Sequence, residues 1–193
     1  KKLTHFLVKL FDQNLSVKDK RYISTAFHTL TDLERVGDYA KNVIEFKDMI
    51  AETDGELSPD AIDEIRSLQE LLEKLYDATV RAYVKRDLDA FEEAKTYEQQ
   101  MDDLAEAYKG AHLYRLNEDM CNPEIGANYM TFLSNVERVA DHYFNVAESL
   151  PNQLRIYVKH ATDKKSPAFK VFIICQCLSD ITCTDYNDIV LTV

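Results

Sequence analysis

Residues 33–45 read LERVGDYAKNVIE, and residues 136–148 read VERVADHYFNVAE. Seven of the thirteen aligned positions are identical: Glu34/Glu137, Arg35/Arg138, Val36/Val139, Asp38/Asp141, Asn42/Asn145, Val43/Val146 and Glu45/Glu148. Five of those seven are polar, which a shared apolar rhythm alone would not reproduce. The two stretches therefore read as the same helix in two copies of a duplicated unit.

Working outward from them, five helical segments are expected. A short stub ends near Phe11. Ser16, with Asp19 three positions on, opens a helix running to about Ala51. Its apolar positions Ile23, Phe27, Leu30, Leu33, Gly37, Ala40 and Ile44 recur at three- and four-residue steps. Thr53-Asp54-Gly55 is a turn cluster, and Ser58-Pro59 caps and starts the next helix. That helix carries a seam of Ile62, Ile65, Leu68, Leu72, Leu75, Thr79 and Ala82 and ends near Arg86. Asp87 caps a fourth helix, Leu88 to about Leu116, with Phe91, Ala94, Met101, Leu104, Ala105 and Tyr108 on one side. Asn122-Pro123-Glu124 begins a fifth, expected to run to Leu150, where Pro151 stops it.

Residues 57–150 thus form a complete antiparallel three-helix unit. Applied to the front, the repeat offset leaves 1–52 as a copy lacking its first helix and a half, and the chain opens on apolar HFLVKLF without a Met. Both features read as a fragment of a longer protein. The tail, 151–193, is β-branched around VFIIC and shows no helical period.

The 193 residues include only four Gly and four Pro, which suits long helices. Apolar residues make up 46% and charged residues 30%, ordinary for a globular chain. A net charge of −11 repels nucleic acid and anionic lipid and attracts cations. The longest apolar run, 171–175, is far short of the roughly 20 residues of a membrane helix. Cys121, Cys175, Cys177 and Cys183 form neither a disulfide framework nor a zinc pattern, and a reducing cytosol suits them better.

Glu34/Asp38 and Glu137/Asp141 stand four apart, one turn from each other on one helix face. Glu98/Asp102 is a third such pair. Like charges at this spacing weaken a helix by a few tenths of a kcal/mol. They ask for a compensating cation, supplied by Arg35 and Arg138 or by a bound metal. Carboxylates from adjacent helices make a hard oxygen site for magnesium, manganese, calcium or iron, less apt for zinc. The alternative is a solvated acidic edge with ordinary arginine partners. His112 near Arg115 reads as a capping or packing histidine. His142 beside Asp141 is able to join a metal shell, although its counterpart in the other copy is Tyr39. Asn42 and Asn145 each sit a turn beyond the aspartate and read as interhelical hydrogen-bonding residues.

ERVGDYAKN and ERVADHYFN resemble the signature of PhoU domains, close to E-R-[IV]-[GA]-D-H-x-x-N. The stretch 98–149, with His112-x-x-Arg115-Leu116, Cys121, Gly126 and Glu137-Arg138-x-x-Asp141-His142, resembles the cytoplasmic C-terminal PhoU-like domain of bacterial sodium/phosphate cotransporters. The resemblance implies an all-α fold of tandem PhoU-like antiparallel three-helix bundles, the first truncated at its N-terminus. It also implies multinuclear metal binding through Glu34, Asp38, Glu98, Asp102, Glu137 and Asp141. Tyr39 departs from the pattern's histidine.

The function this implies is a non-catalytic regulatory or accessory domain of phosphate transport at the cytoplasmic face of the cell membrane. Its expected partners are a membrane-spanning transporter part of the same polypeptide, or a phosphate transporter or sensor, and a second copy of the chain; nucleic acid is not among them. A free-standing PhoU regulator and a carboxylate-rich metal-binding bundle are the alternatives, with a plain acidic scaffold a further one. Di-iron oxidase chemistry is disfavoured, because none of His5, His28, His112, His142 and His160 has Glu or Asp three positions before it. No nucleophile–base pair, Walker loop or dinucleotide fingerprint is present.

Overall fold

In the computed structural model the described residues are 2–11, 13–53 and 56–149. The expected readings of Asp54-Gly55, of Leu150-Pro151 and of the tail lie outside them. The described residues form five helices: α1 (Lys2–Phe11), α2 (Val17–Glu52), α3 (Pro59–Lys85), α4 (Leu88–Asn117) and α5 (Pro123–Glu148). The chain is all-α over these residues, as its periodicity predicts.

Each long helix begins where a short polar side chain can satisfy an orphan amide. Ser16 Oγ accepts from Asp19 N at 3.2 Å and donates to Asp19 Oδ2 at 2.7 Å. Ser58 accepts from Ala61 N, with Pro59 at the first helical position. Asp87 accepts from Asp89 N and Ala90 N, and Asn122 from Glu124 N. Arg86, in the left-handed region at φ 58°, reverses the chain between α3 and α4.

α3, α4 and α5 pack pairwise as an antiparallel bundle. Its core joins Ile65, Leu68, Leu72 and Leu75 of α3 to Ala90, Ala94 and Met101 of α4. Tyr129, Phe132, Leu133, Val136, Val139 and Tyr143 of α5 close it. Near the α3–α4 turn Ala82, Ala90 and Ala94 are fully buried, which lets those backbones approach closely there. Each buried Leu, Phe or Met contributes about 1.5–3 kcal/mol of transfer free energy.

α2 lies against the outside of this bundle, on α5, and α1 lies on α2. The face of α2 that closes differs from the predicted stripe. Ile23 and Ala40 of that stripe are buried, but Phe27, Leu30, Leu33, Gly37 and Ile44 are half-buried, and Thr29, Val36, Val43, Phe46 and Ile50 are buried in their place. The reason is that α5 covers one side of α2, and its position selects an arc rotated from the one spacing favours.

α2 and α5 run antiparallel, and their contacts obey a local two-fold rule. Phe46 stacks on Phe132 with ring centroids 4.7 Å apart, while Thr29 Oγ1 and Ser149 Oγ hydrogen-bond at 3.0 Å. In the repeat alignment Thr29 matches Phe132 and Phe46 matches Ser149, so the two contacts are counterparts. Likewise Asn42 Nδ2 donates to Asn135 Oδ1, and Asn145 Nδ2 donates to Asp32 Oδ1, both at 3.3 Å. The duplicated helices therefore face each other, each presenting the same positions to the other.

Candidate metal centre

Glu98 and Asp102 stand one turn apart on α4, and Asp141 projects from the neighbouring α5. One oxygen of each lies within 4.8 Å of the others, and all three side chains are half-buried. Burial and mutual repulsion raise all three carboxyls above the ordinary carboxylate range. For Glu98 the causes after burial are Asp102 and Asp141; for Asp102 they are Asp141 and Glu137; for Asp141 it is Glu137. Lys109, His142 and Arg138 offset this only in part. Such a trio carries unneutralised negative charge on oxygen donors from two rigid helices, an arrangement suited to a hard cation.

The other predicted carboxylates sit elsewhere. Glu137, one turn before Asp141, is engaged by Lys109 Nζ at 2.5 Å. Glu34 and Asp38 are exposed on α2, where Arg35 Nη1 lies 3.9 Å from Asp38 Oδ2. At the repeat offset, Glu98 and Asp102 have no counterpart within these 193 residues.

His142 does not enter the acidic trio. Its Nδ1 lies 3.0 Å from Asp32 Oδ1 and its ring stacks on Tyr39 with centroids 5.7 Å apart. Asp32 thus takes both His142 and Asn145, and it was not singled out from the sequence because its partners lie more than a hundred residues away. Asn42 and Asn145 make the interhelical hydrogen bonds described above.

A second polar constellation closes the end of the bundle where α3 and α5 begin. Arg115 Nη1 and Nη2 donate to Glu64 Oε1 and Oε2 at 2.7 and 2.8 Å, with both residues buried. Tyr129 Oη donates to Glu64 Oε2 at 2.6 Å, and burial together with that bond pushes its phenol far upward, so it stays a donor. His112 packs its ring edge against Tyr129 and is held below its usual value by burial and by Arg115, hence neutral. Glu64 was missed in the sequence, although a glutamate one position before Ile65 of the apolar seam was the available signal.

The class of protein is defined by an antiparallel three-helix bundle with a carboxylate trio between its second and third helices. Residues 65–150 match the PhoU domain, and the chain contains a PhoU-like domain. Similar proteins include an uncharacterized protein of Deinococcus radiodurans, 33% identical over 142 residues, which cover 72% of this chain and 50% of that one. A phosphate-specific transport system accessory protein PhoU homolog of Clostridium acetobutylicum is 28% identical over 137 residues, covering 71% and 61%. A phosphate-specific transport system accessory protein PhoU homolog 1 of Thermotoga maritima is 24% identical over 152 residues, covering 79% and 62%. The chain thus spans about half to three-fifths of the length of the curated relatives it matches. No solved structure matches it. Among the described residues, no helix is long and apolar enough to cross a membrane.

Proposed function

We propose that this chain is a regulatory or accessory module of phosphate transport, acting at the cytoplasmic face of the membrane without catalysis of its own. The observation that carries this reading is the PhoU-like bundle together with the convergence of Glu98, Asp102 and Asp141. In this reading the trio binds a divalent or iron-type cation, and Glu137 joins once the cation displaces Lys109. A bound cation also gives an otherwise acidic surface a way to hold phosphate. Glu34 and Asp38 belong to the corresponding ridge of the first copy.

Two parents suit the module. The stretch 98–149 favours the C-terminal domain of a sodium-dependent phosphate cotransporter. Similarity to accessory proteins of phosphate-specific transport favours a free-standing regulator equally. The reading frame preceding Lys1 separates them: apolar spans of about 20 residues identify a cotransporter.

Phosphate uptake by cells lacking the gene, complemented with the wild type or with Asp102→Asn/Asp141→Asn, tests the role. Altered uptake rescued by the wild type and not by the double variant supports the reading. Uptake unchanged by the deletion overturns it.

A further inference from the structure

Glu98, Asp102, Ala105 and Lys109 recur at steps of four, three and four, so they line one stripe of α4. Asp141 and Glu137, one turn apart, form the facing stripe of α5. The two helices run antiparallel, and the stripes meet at two places. Asp141 stands beside Glu98 and Asp102, and two turns further along α4 Lys109 meets Glu137. Buried Ala105 lies between these meeting points and adds no polar side-chain atom. The groove therefore holds four carboxylates and one ammonium. Lys109 Nζ lies 2.5 Å from Glu137 Oε2, with both side chains partly buried.

The charges of this pair reach the trio. Glu137 raises the carboxyls of both Asp102 and Asp141, and Lys109 lowers that of Asp102. While the two are bonded their fields largely cancel, and the trio is less negative than four bare carboxylates would make it. Of the other cations nearby, Arg138 is exposed and His142 is turned to Asp32. A lysine suits a displaceable counter-ion, because its ammonium is a single, strongly hydrated point charge on a flexible stem. An arginine would grip the carboxylate at two points. The Lys109 side chain is 27% exposed, so water is within its reach. At the repeat offset Lys109 matches Phe6, an exposed residue of α1. The lysine is therefore not part of the duplicated pattern.

We propose that Lys109 is a tethered competitor that sets the affinity of the carboxylate trio for divalent cations, by occupying Glu137 until an incoming cation takes that carboxylate. This role rests on the reading of the trio as a cation site and adds a threshold to it. Apparent affinity falls in proportion to the fraction of molecules in which the competent state is available. A site that carries its own counter-ion thus stays empty at low cation concentration and fills only when the divalent ion outcompetes the ammonium.

Manganese(II) is the probe, its free ion read by electron paramagnetic resonance as the full chain is titrated. Lys109→Gln should tighten binding at least fivefold. Lys109→Met should do the same, and it keeps the test open should the glutamine variant fail to fold. In a Glu137→Gln background the ammonium has no carboxylate to hold, and Lys109→Gln should change the affinity less than twofold. An equal gain in both backgrounds would mean that the lysine only repels cations from a distance, and it overturns the proposal. Unchanged or weaker binding in the Lys109 variants does so too. Manganese binding absent from the wild type and from every variant overturns the cation reading of the trio itself, whereas binding that is present but indifferent to Lys109 overturns the lysine's role alone.

Discussion

Tyr39 and His142 occupy the same position in the two repeated segments, and they stack on each other across the α2–α5 seam, with planes 21° apart and centroids at 5.7 Å. A residue that meets its own counterpart lies on the local two-fold axis. The sequence difference at this position is therefore one contact seen from both sides. A ring at each position preserves the stack, and the imidazole adds a bond to Asp32 that a tyrosine at 142 would not reproduce.

Tyr39→Ala should destabilise the chain by about 1 kcal/mol beyond simple area loss, with coupling to His142→Ala of about 0.5–1.5 kcal/mol. A double-mutant cycle in urea checks this. Additive single effects would show that the rings merely sit side by side.

Arg115→Met should cost about 3–5 kcal/mol, because it strands the buried Glu64 carboxylate. Glu64→Leu with Arg115→Met should recover part of the loss, since no buried charge is left unpaired, while the Tyr129 hydroxyl loses its Glu64 acceptor and keeps a cost of about 1–3 kcal/mol. Equilibrium unfolding of the two variants decides it.

The acidic trio should make metal-free stability depend on pH. Folding raises all three carboxyls, so the folded chain takes up protons more readily than the unfolded chain. Lowering the pH from neutral into the window just above the ordinary carboxylate range therefore relieves repulsion and strengthens the fold. Asp102→Asn should stabilise the metal-free chain near neutral pH by a few tenths of a kcal/mol and flatten this slope. Melting temperatures with and without manganese or magnesium read both effects, and the cation-induced rise should shrink in the variant.

His112 acts in the opposite direction. Its folded value lies below 6.5, so as the pH falls past 6.5 the unfolded chain gains a proton that the folded chain resists. Stability is lost on the acid side of that value, and His112→Gln should remove this component while leaving the trio's intact. Thermal melts from pH 5 to 8 on wild type, His112→Gln and Asp102→Asn separate the two.

Gly126→Ala should cost about 1–3 kcal/mol, because its β-carbon would crowd His112 Nε2 at 2.7 Å and Leu116 Cδ2 at 3.0 Å. A second change, His112→Ala, should return part of that loss by removing the nearer obstacle. Urea midpoints of the single and double variants measure it.

Helix starts were readable because capping is local: Ser16, Ser58, Asp87 and Asn122 each bond an amide two or three residues away. The α3 seam was also readable, since that helix is covered by two neighbours and its apolar arc is broad. The buried arc of α2 was not, because which side closes depends on where α5 lies. Sequence spacing alone joined Glu98 to Asp102; bringing Asp141 to them required the α4–α5 packing. Glu137 carries the same repeat signature as Glu34, yet Lys109 engages it, and Lys109 belongs to no repeated phrase. Asp32 and Glu64 escaped notice because each gains its meaning from partners far along the chain.

The self-facing contact of α2 with α5 has a consequence for assembly. Two separate polypeptides carrying these helices would meet through an isologous patch, and their pairing would weaken on dilution. Tethering the halves converts that encounter into an intramolecular closure at millimolar effective concentration. The closed pair then persists at any cellular abundance, and each half is free to diverge, as phenylalanine opposite phenylalanine on one side of the axis and threonine opposite serine on the other already attest.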